Sequence, residues 1–189
     1  MRSLSVFLFI SDSYATFDPS VQLATANIPY FFHAGETVTI GGNADENLLD
    51  ALLLNSTRIG HGFALAHHPT LVQMVVDGGV GIEVCPISNQ VLKLVDDLRD
   101  HPLVDFAARP FPATLSPDDP AIWGAVGSTH DWTMAFFALD DLAGLAMLKQ
   151  LAINSLTHSA LNTADKAAAI STWQASWDSY IARVAAMDV

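Results

Sequence analysis

Four short apolar runs, each closed by a polar cluster, alternate with stretches of helical pattern, and no tight hairpin turn joins one run to the next. The runs are Tyr30-Phe31-Phe32 before His33, Thr57 to Gly62 with His61 at its stop, Val80 to Pro86 before Ser88-Asn89, and Phe111 to Ser116 before Pro117-Asp118-Asp119-Pro120. Tyr30, Phe31 and Phe32 cannot all face water, so the first run reads as a strand covered on both faces, as in a parallel sheet. Helical pattern fills the gaps. Asp45-Glu46 lead a helix through Leu54, with acid at its positive end. Pro69 opens a helix over Thr70 to Asp77 that Gly78-Gly79 closes. Residues 93–108 read as partly helical, with His101-Pro102 marking a start or a break. From Asp131 on, leucines recur at helical spacing, and a last amphipathic helix runs from Ala167 to Met187. Its Trp173 and Trp177, four apart, read as core or packing residues. Strand and helix in strict alternation define an α/β fold with a parallel sheet.

Length and charge narrow the chemistry. The chain has 189 residues, 51% of them apolar, enough for one domain and short for two. The net charge of −12, with no lysine- or arginine-rich block, argues against nucleic acid and against an anionic membrane surface as partners. A single cysteine, Cys85, rules out an intrachain disulfide framework. No run has the length of a transmembrane helix. Residues 1–27 read as an irregular segment; the apolar stretch Val6 to Ile10 fits either a thin secretory signal or a hydrophobic first strand. A turn of helix is expected near Val21 to Ala26.

The polar residues that end the runs are types that do chemistry, and active sites of parallel α/β folds lie at that strand edge. His33 and Asp118 are plausible ligands for a divalent metal such as zinc. Zinc lowers the pKa of bound water to about 7. His61 then either accepts a proton from that water or holds it and steadies the charge. Glu36 suits a general acid if burial or a metal tunes it. Asp119 would face substrate rather than metal. Ala34 and Gly35 keep bulk away, so that a ligand can approach the backbone. Ser88 and Asn89 lie just past the third strand tip. His67, His68, His101, His130 and His158 have no such setting and read as surface or packing residues.

Phe32-His33-Ala34-Gly35-Glu36, Arg58-Ile59-Gly60-His61-Gly62, Cys85-Pro86-Ile87-Ser88-Asn89 and Asp118-Asp119-Pro120, in this order, resemble the adenosine and AMP deaminase family. Asp45 to Leu54 and Leu151-Ala152-Ile153-Asn154-Ser155 look like its secreted branch, the adenosine deaminase-related growth factors. The resemblance covers residues 28–189, read as one partial barrel domain. It implies a (β/α)8 TIM-type barrel and zinc-dependent hydrolytic deamination of adenosine or deoxyadenosine to inosine and ammonia. It also implies an extracellular setting. By it His33 and Asp118 match zinc ligands and Glu36 the acid toward the purine ring. His61 matches the residue that holds and deprotonates the zinc-bound water, and Asp119 a group at substrate and water. Gly35 joins Glu36 and Asp119 on the substrate side.

The chain departs from the family in one large respect. The family's N-terminal strand carries a His-x-His pair, and this sequence has no His-x-His; its first histidine is His33. The four strands match the C-terminal half of a barrel, with the N-terminal half absent, in a chain shorter than the roughly 250 residues usual for that fold. Three expectations follow. With two ligands instead of three, zinc binding is weak and deamination impaired. Open strand edges favour self-association or a complementing partner. The alternative function is a non-catalytic remnant that binds a nucleoside or a partner chain. A phosphate-bearing substrate would call for basic residues near the tips, where only Arg58 and Lys93 are close, so a nucleoside is favoured.

Overall fold

The computed structural model describes residues 6–9, 29–139 and 144–187. Its centre is a parallel sheet of five strands in the order of the chain: β1 (Val6–Phe9), β2 (Tyr30–Ala34), β3 (Arg58–His61), β4 (Gly81–Val84) and β5 (Ala113–Leu115). Four of these are the expected strands. The fifth is β1, which pairs with β2 from Val6 opposite Tyr30 to Phe9 opposite His33. The apolar stretch at residues 6–9 is therefore a strand, and not part of an irregular segment. The helical turn expected near Val21 to Ala26 lies outside the described residues.

The connections from β2 to β5 are helical, as parallel crossovers usually are. They comprise α1 (Asn43–Leu53), α2 (Pro69–Gly78), the short α3 (Pro86–Val91) and α4 (Pro102–Ala107). After β5 come α5 (Thr129–Leu139), α6 (Gly144–Thr157) and α7 (Thr163–Ala185). Local chemistry sets their ends. Pro69 sits in the first turn of α2, and Gly79 closes it at φ +61°, a left-handed position that glycine takes without strain. The Asn162 side chain caps α7 by accepting from Asp165 N–H.

Register sorts the strand residues onto two faces. Phe32, Ala34, Ile59, Ile82, Val84, Ala113 and Leu115 pack with Leu48, Val75, Leu103, Phe106, Leu139 and Leu151 of the helices in one apolar core. Ile59, Ile82 and Leu48 have no exposure at all. Each such side chain contributes about 1.5–3 kcal/mol by leaving water. The other face carries Phe31 and His33 on β2, Arg58 and Gly60 on β3, Glu83 on β4 and Thr114 on β5, matched across the register. Arg58 Nε lies 2.5 Å from Glu83 Oε1, and its guanidinium carbon stands 3.9 Å from the centre of the Phe31 ring. Phe31 and Phe32 are thus both buried, on opposite faces, which accounts for the unbroken apolar run.

Two readings of the last helices change. α7 begins at Thr163 rather than at Ala167, and none of its residues is buried. Trp173 and Trp177 stack on each other, centroids 5.4 Å apart, rather than entering a core. A helical stripe in sequence records periodicity, not whether anything covers it. No helix among the described residues is long and apolar enough to cross a membrane.

Candidate metal and proton-transfer site

The C-terminal ends of β2 and β3, helix α3 after β4 and the segment after β5 meet at one cavity of about 350 Å³. Its lining includes His33, Glu36, His61, Ser88, Asp118 and Asp119, with Val91, Leu92, Ile122 and Trp123 as apolar walls. Parallel strands point their ends the same way, so residues 85 positions apart in sequence come together by topology alone. One ligand atom each from His33, His61 and Asp118 lies within 4.8 Å of the other two. The two imidazoles are tilted, with ring centres 5.2 Å apart. Gly60, opposite His33 in the register, makes room for this: a Cβ there would stand 3.3 Å from His33 Cδ2 and Cγ.

Two of the three are delivered from unusual backbone. His61 has φ +64° and Asp118 φ +54°, the left-handed region that non-glycine residues seldom occupy. Such positions cost about 1–3 kcal/mol each and persist where the surroundings impose them. After His61, Gly62 N–H donates to Ala34 O at 3.0 Å, locking β3's end to β2. Ser88 Oγ donates to Asp118 Oδ2 at 2.7 Å. Ser88 itself is held because α3 starts at Pro86 and its first N–H groups find a partner. Ile87 N–H donates to Asp131 Oδ1 at 3.2 Å, and Asp131, the acceptor, has no exposure.

The electrostatics separate the groups. Burial, helped by the Asp118 and Asp119 carboxylates, raises the Glu36 pKa and favours its protonated form. Burial pushes the His61 pKa down to about 4, against the pull of Asp118; His33 lowers it further, and Asp119 opposes. His61 is therefore neutral near pH 7. Glu36 Oε1 stands 3.4 Å from His61 Nδ1.

Of the residues expected at the site, His33, Glu36, His61, Asp118 and Asp119 all line this cavity. Gly35 is not among its lining. Gly35 N–H donates to Asn47 Oδ1 at 2.9 Å and Ala44 O at 3.1 Å, and its role here is to let the chain turn at φ +68° against Leu48. Arg58 is a correction: it starts β3, at the opposite end from the tips, and is engaged by Glu83 and by His158 O at 3.2 Å. Of the histidines read as surface or packing residues, His68 and His101 each engage a buried side chain. His68 Nε2 lies 2.6 Å from Asp45 Oδ1, and Asp45 is buried. His101 is 4% exposed and bonds Asn89 at 3.0 Å. Ser88 and Asn89 are helical, inside α3, rather than on a loop. The sequence signals existed: Pro86 and Pro102 each sit where a helix starts, and His101 is the residue before one.

A parallel α/β sheet whose strand ends gather two imidazoles and several carboxylates around one cavity defines a class of protein built to hold a divalent cation and move protons beside it. Comparison with known proteins makes the relationship definite. The family model for adenosine deaminase matches residues 11–175, and the chain belongs to that family. Adenosine deaminase 2 of Sus scrofa is 52% identical over 158 residues, 83% of this chain and 31% of that protein. The chain spans about a third of the length of the curated relatives it matches. Among solved structures, adenine deaminase of Arthrobacter aurescens superposes with a TM-score of 0.67 at 32% identity, covering 77% of this chain and 42% of that one. An amidohydrolase of Burkholderia ambifaria with bound zinc gives a TM-score of 0.73 over 87% of this chain and 44% of its own. At 23% identity the latter establishes the shared fold.

Proposed function

We propose that this chain carries a zinc-dependent site for hydrolytic deamination of adenosine or deoxyadenosine. The observation that carries the reading is the convergence of His33, His61 and Asp118 within 4.8 Å, with Glu36 beside them in one cavity. Nitrogen and carboxylate donors at this spacing suit zinc. His33 and Asp118 would hold the ion. When bound, it supplies a water activated for attack at neutral pH. Glu36, whose pKa burial raises, donates toward a ring nitrogen of the purine as the attack develops, which is general acid catalysis. Asp119 accepts from the substrate or the water. Val91, Leu92, Ile122 and Trp123 offer apolar surface to the flat base and keep bulk water off it. No lysine or arginine is among the residues lining the cavity, which favours a nucleoside over a nucleotide. An extracellular setting goes with the resemblance to adenosine deaminase 2.

His33 and Asp118 are one ligand short of the usual three, so metal retention is expected to be weak and turnover by this chain alone low. The full chain, loaded with zinc and given adenosine, is assayed by the absorbance change to inosine and by metal stoichiometry. Zinc-dependent turnover above background that disappears in Glu36→Gln and Asp118→Asn supports the reading. Nucleoside binding without turnover points to the non-catalytic alternative. Absence of zinc binding and of nucleoside binding overturns both.

A further inference from the structure

Behind the cavity, two buried side chains form a line that ends on His61. The line begins at a backbone group. Leu103 N–H donates to His101 Nδ1 at 2.9 Å, so that nitrogen carries the lone pair. The proton of the neutral His101 ring is then on Nε2, which donates to Asn89 Oδ1 at 3.0 Å. With its oxygen so engaged, the Asn89 amide turns its NH2 the other way. Asn89 Nδ2 lies 3.4 Å from His61 Nδ1.

Two groups therefore compete for His61 Nδ1 at the same distance. Glu36 Oε1, also 3.4 Å away, would accept a proton from Nδ1. Asn89 Nδ2 would donate one to it. The two are not equally fixed. The Glu36 side chain is 32% exposed and has the cavity to turn into. Asn89 has no exposure, and His101 holds its far end. Flipping its amide would set an N–H against the N–H of His101 in a buried place, leaving both without a partner and away from water.

We propose that the His101–Asn89 pair is a positioning device that selects the tautomer of His61, with Nδ1 as acceptor and the proton on Nε2. Neutral His61 then offers its neighbours a hydrogen through Nε2. The consequence for chemistry rests on the deaminase reading: His61 steadies charge growing on the attacking oxygen as a donor, in preference to removing its proton in the resting state. It also leaves His61 without an Nε2 lone pair for a metal, so that His33 and Asp118 carry the ion. The tautomer itself does not depend on that reading.

The test is nuclear magnetic resonance of the full chain labelled with 15N at histidine, at mildly alkaline pH, with no metal or substrate. The His61 ring is expected to show an unprotonated Nδ1 and a protonated Nε2. Asn89→Asp sets an acceptor against Nδ1 and is expected to move the proton there. His101→Gln can still donate to Asn89 Oδ1 and is expected to keep the wild-type pattern, whereas His101→Phe is expected to give both tautomers. A wild-type His61 protonated on Nδ1 overturns the proposal, and so does a folded Asn89→Asp chain with an unchanged spectrum. If Asn89→Asp does not fold, the wild-type spectrum decides alone. Lack of adenosine turnover beside the expected spectrum would count against the deaminase reading only.

Discussion

Gly35→Ala is the most severe small change the structure allows near the site. Gly35 has φ +68°, and a Cβ built there would lie 2.7 Å from Leu48 Cδ2 and 2.8 Å from its Cδ1 and Cγ. Leu48 has no exposure and is packed in the main core, so it has nowhere to retreat. Forcing an L-residue into the left-handed region costs about 1–2 kcal/mol. Overpacking a tight core by a methyl adds about 1–3 kcal/mol. The expected loss is about 2–5 kcal/mol in urea unfolding followed by circular dichroism. Gly41→Ala is the matched control. Gly41 has φ +74° but nothing within 4 Å of its would-be Cβ, so only the backbone share, about 1–2 kcal/mol, applies. The difference between the two variants reads the clash with Leu48 alone. Equal losses would refute the packing argument, and a Gly35→Ala loss under about 1 kcal/mol would refute both parts of it.

Ser88→Ala removes the hydrogen bond that orients Asp118. Zinc affinity, measured by chelator competition, should fall about 10- to 100-fold with the fold intact. Glu36→Gln keeps the shape and removes the acid; any zinc-dependent turnover should drop about 10²- to 10⁴-fold while metal stoichiometry holds. His101 gives a pH signature. Burial pushes its pKa from 6.5 down to about 4, so the folded state favours the neutral ring. Its stabilisation is complete above the unfolded value of 6.5 and is lost as the pH falls toward 4, on the order of 3 kcal/mol in all. His101→Gln should flatten the stability curve between those limits; an unchanged slope would mean that His101 is not the group titrating.

The parallel sheet and its chemistry-bearing edge were legible because they depend on the order of elements. His33, His61 and Asp118 each follow an apolar run, and parallel strands bring such ends together whatever lies between them. What escaped depends on contacts that no local pattern encodes. An apolar run at residues 6–9 has the same composition as a strand or as a leader core, and only pairing with β2 distinguishes them. His101 could be read only as a surface or packing histidine because its partners are a backbone N–H two residues on and Asn89, twelve residues back. Arg58 sits two residues before Gly60 in a short strand, close to the tip by number and at the far end by geometry. Helix α7 read as entering a core because its tryptophans are spaced as a packed face would be, yet none of its residues is fully buried.

The left-handed backbone at His61 and Asp118 has a practical consequence for anyone mutating them. An alanine at either position changes two things together, the donor atom and the ease with which the loop holds its shape. A deficit in such a variant would blend lost ligation with a relaxed turn. Asparagine tolerates that region better than most residues, so asparagine scanning separates the two, and alanine scanning does not.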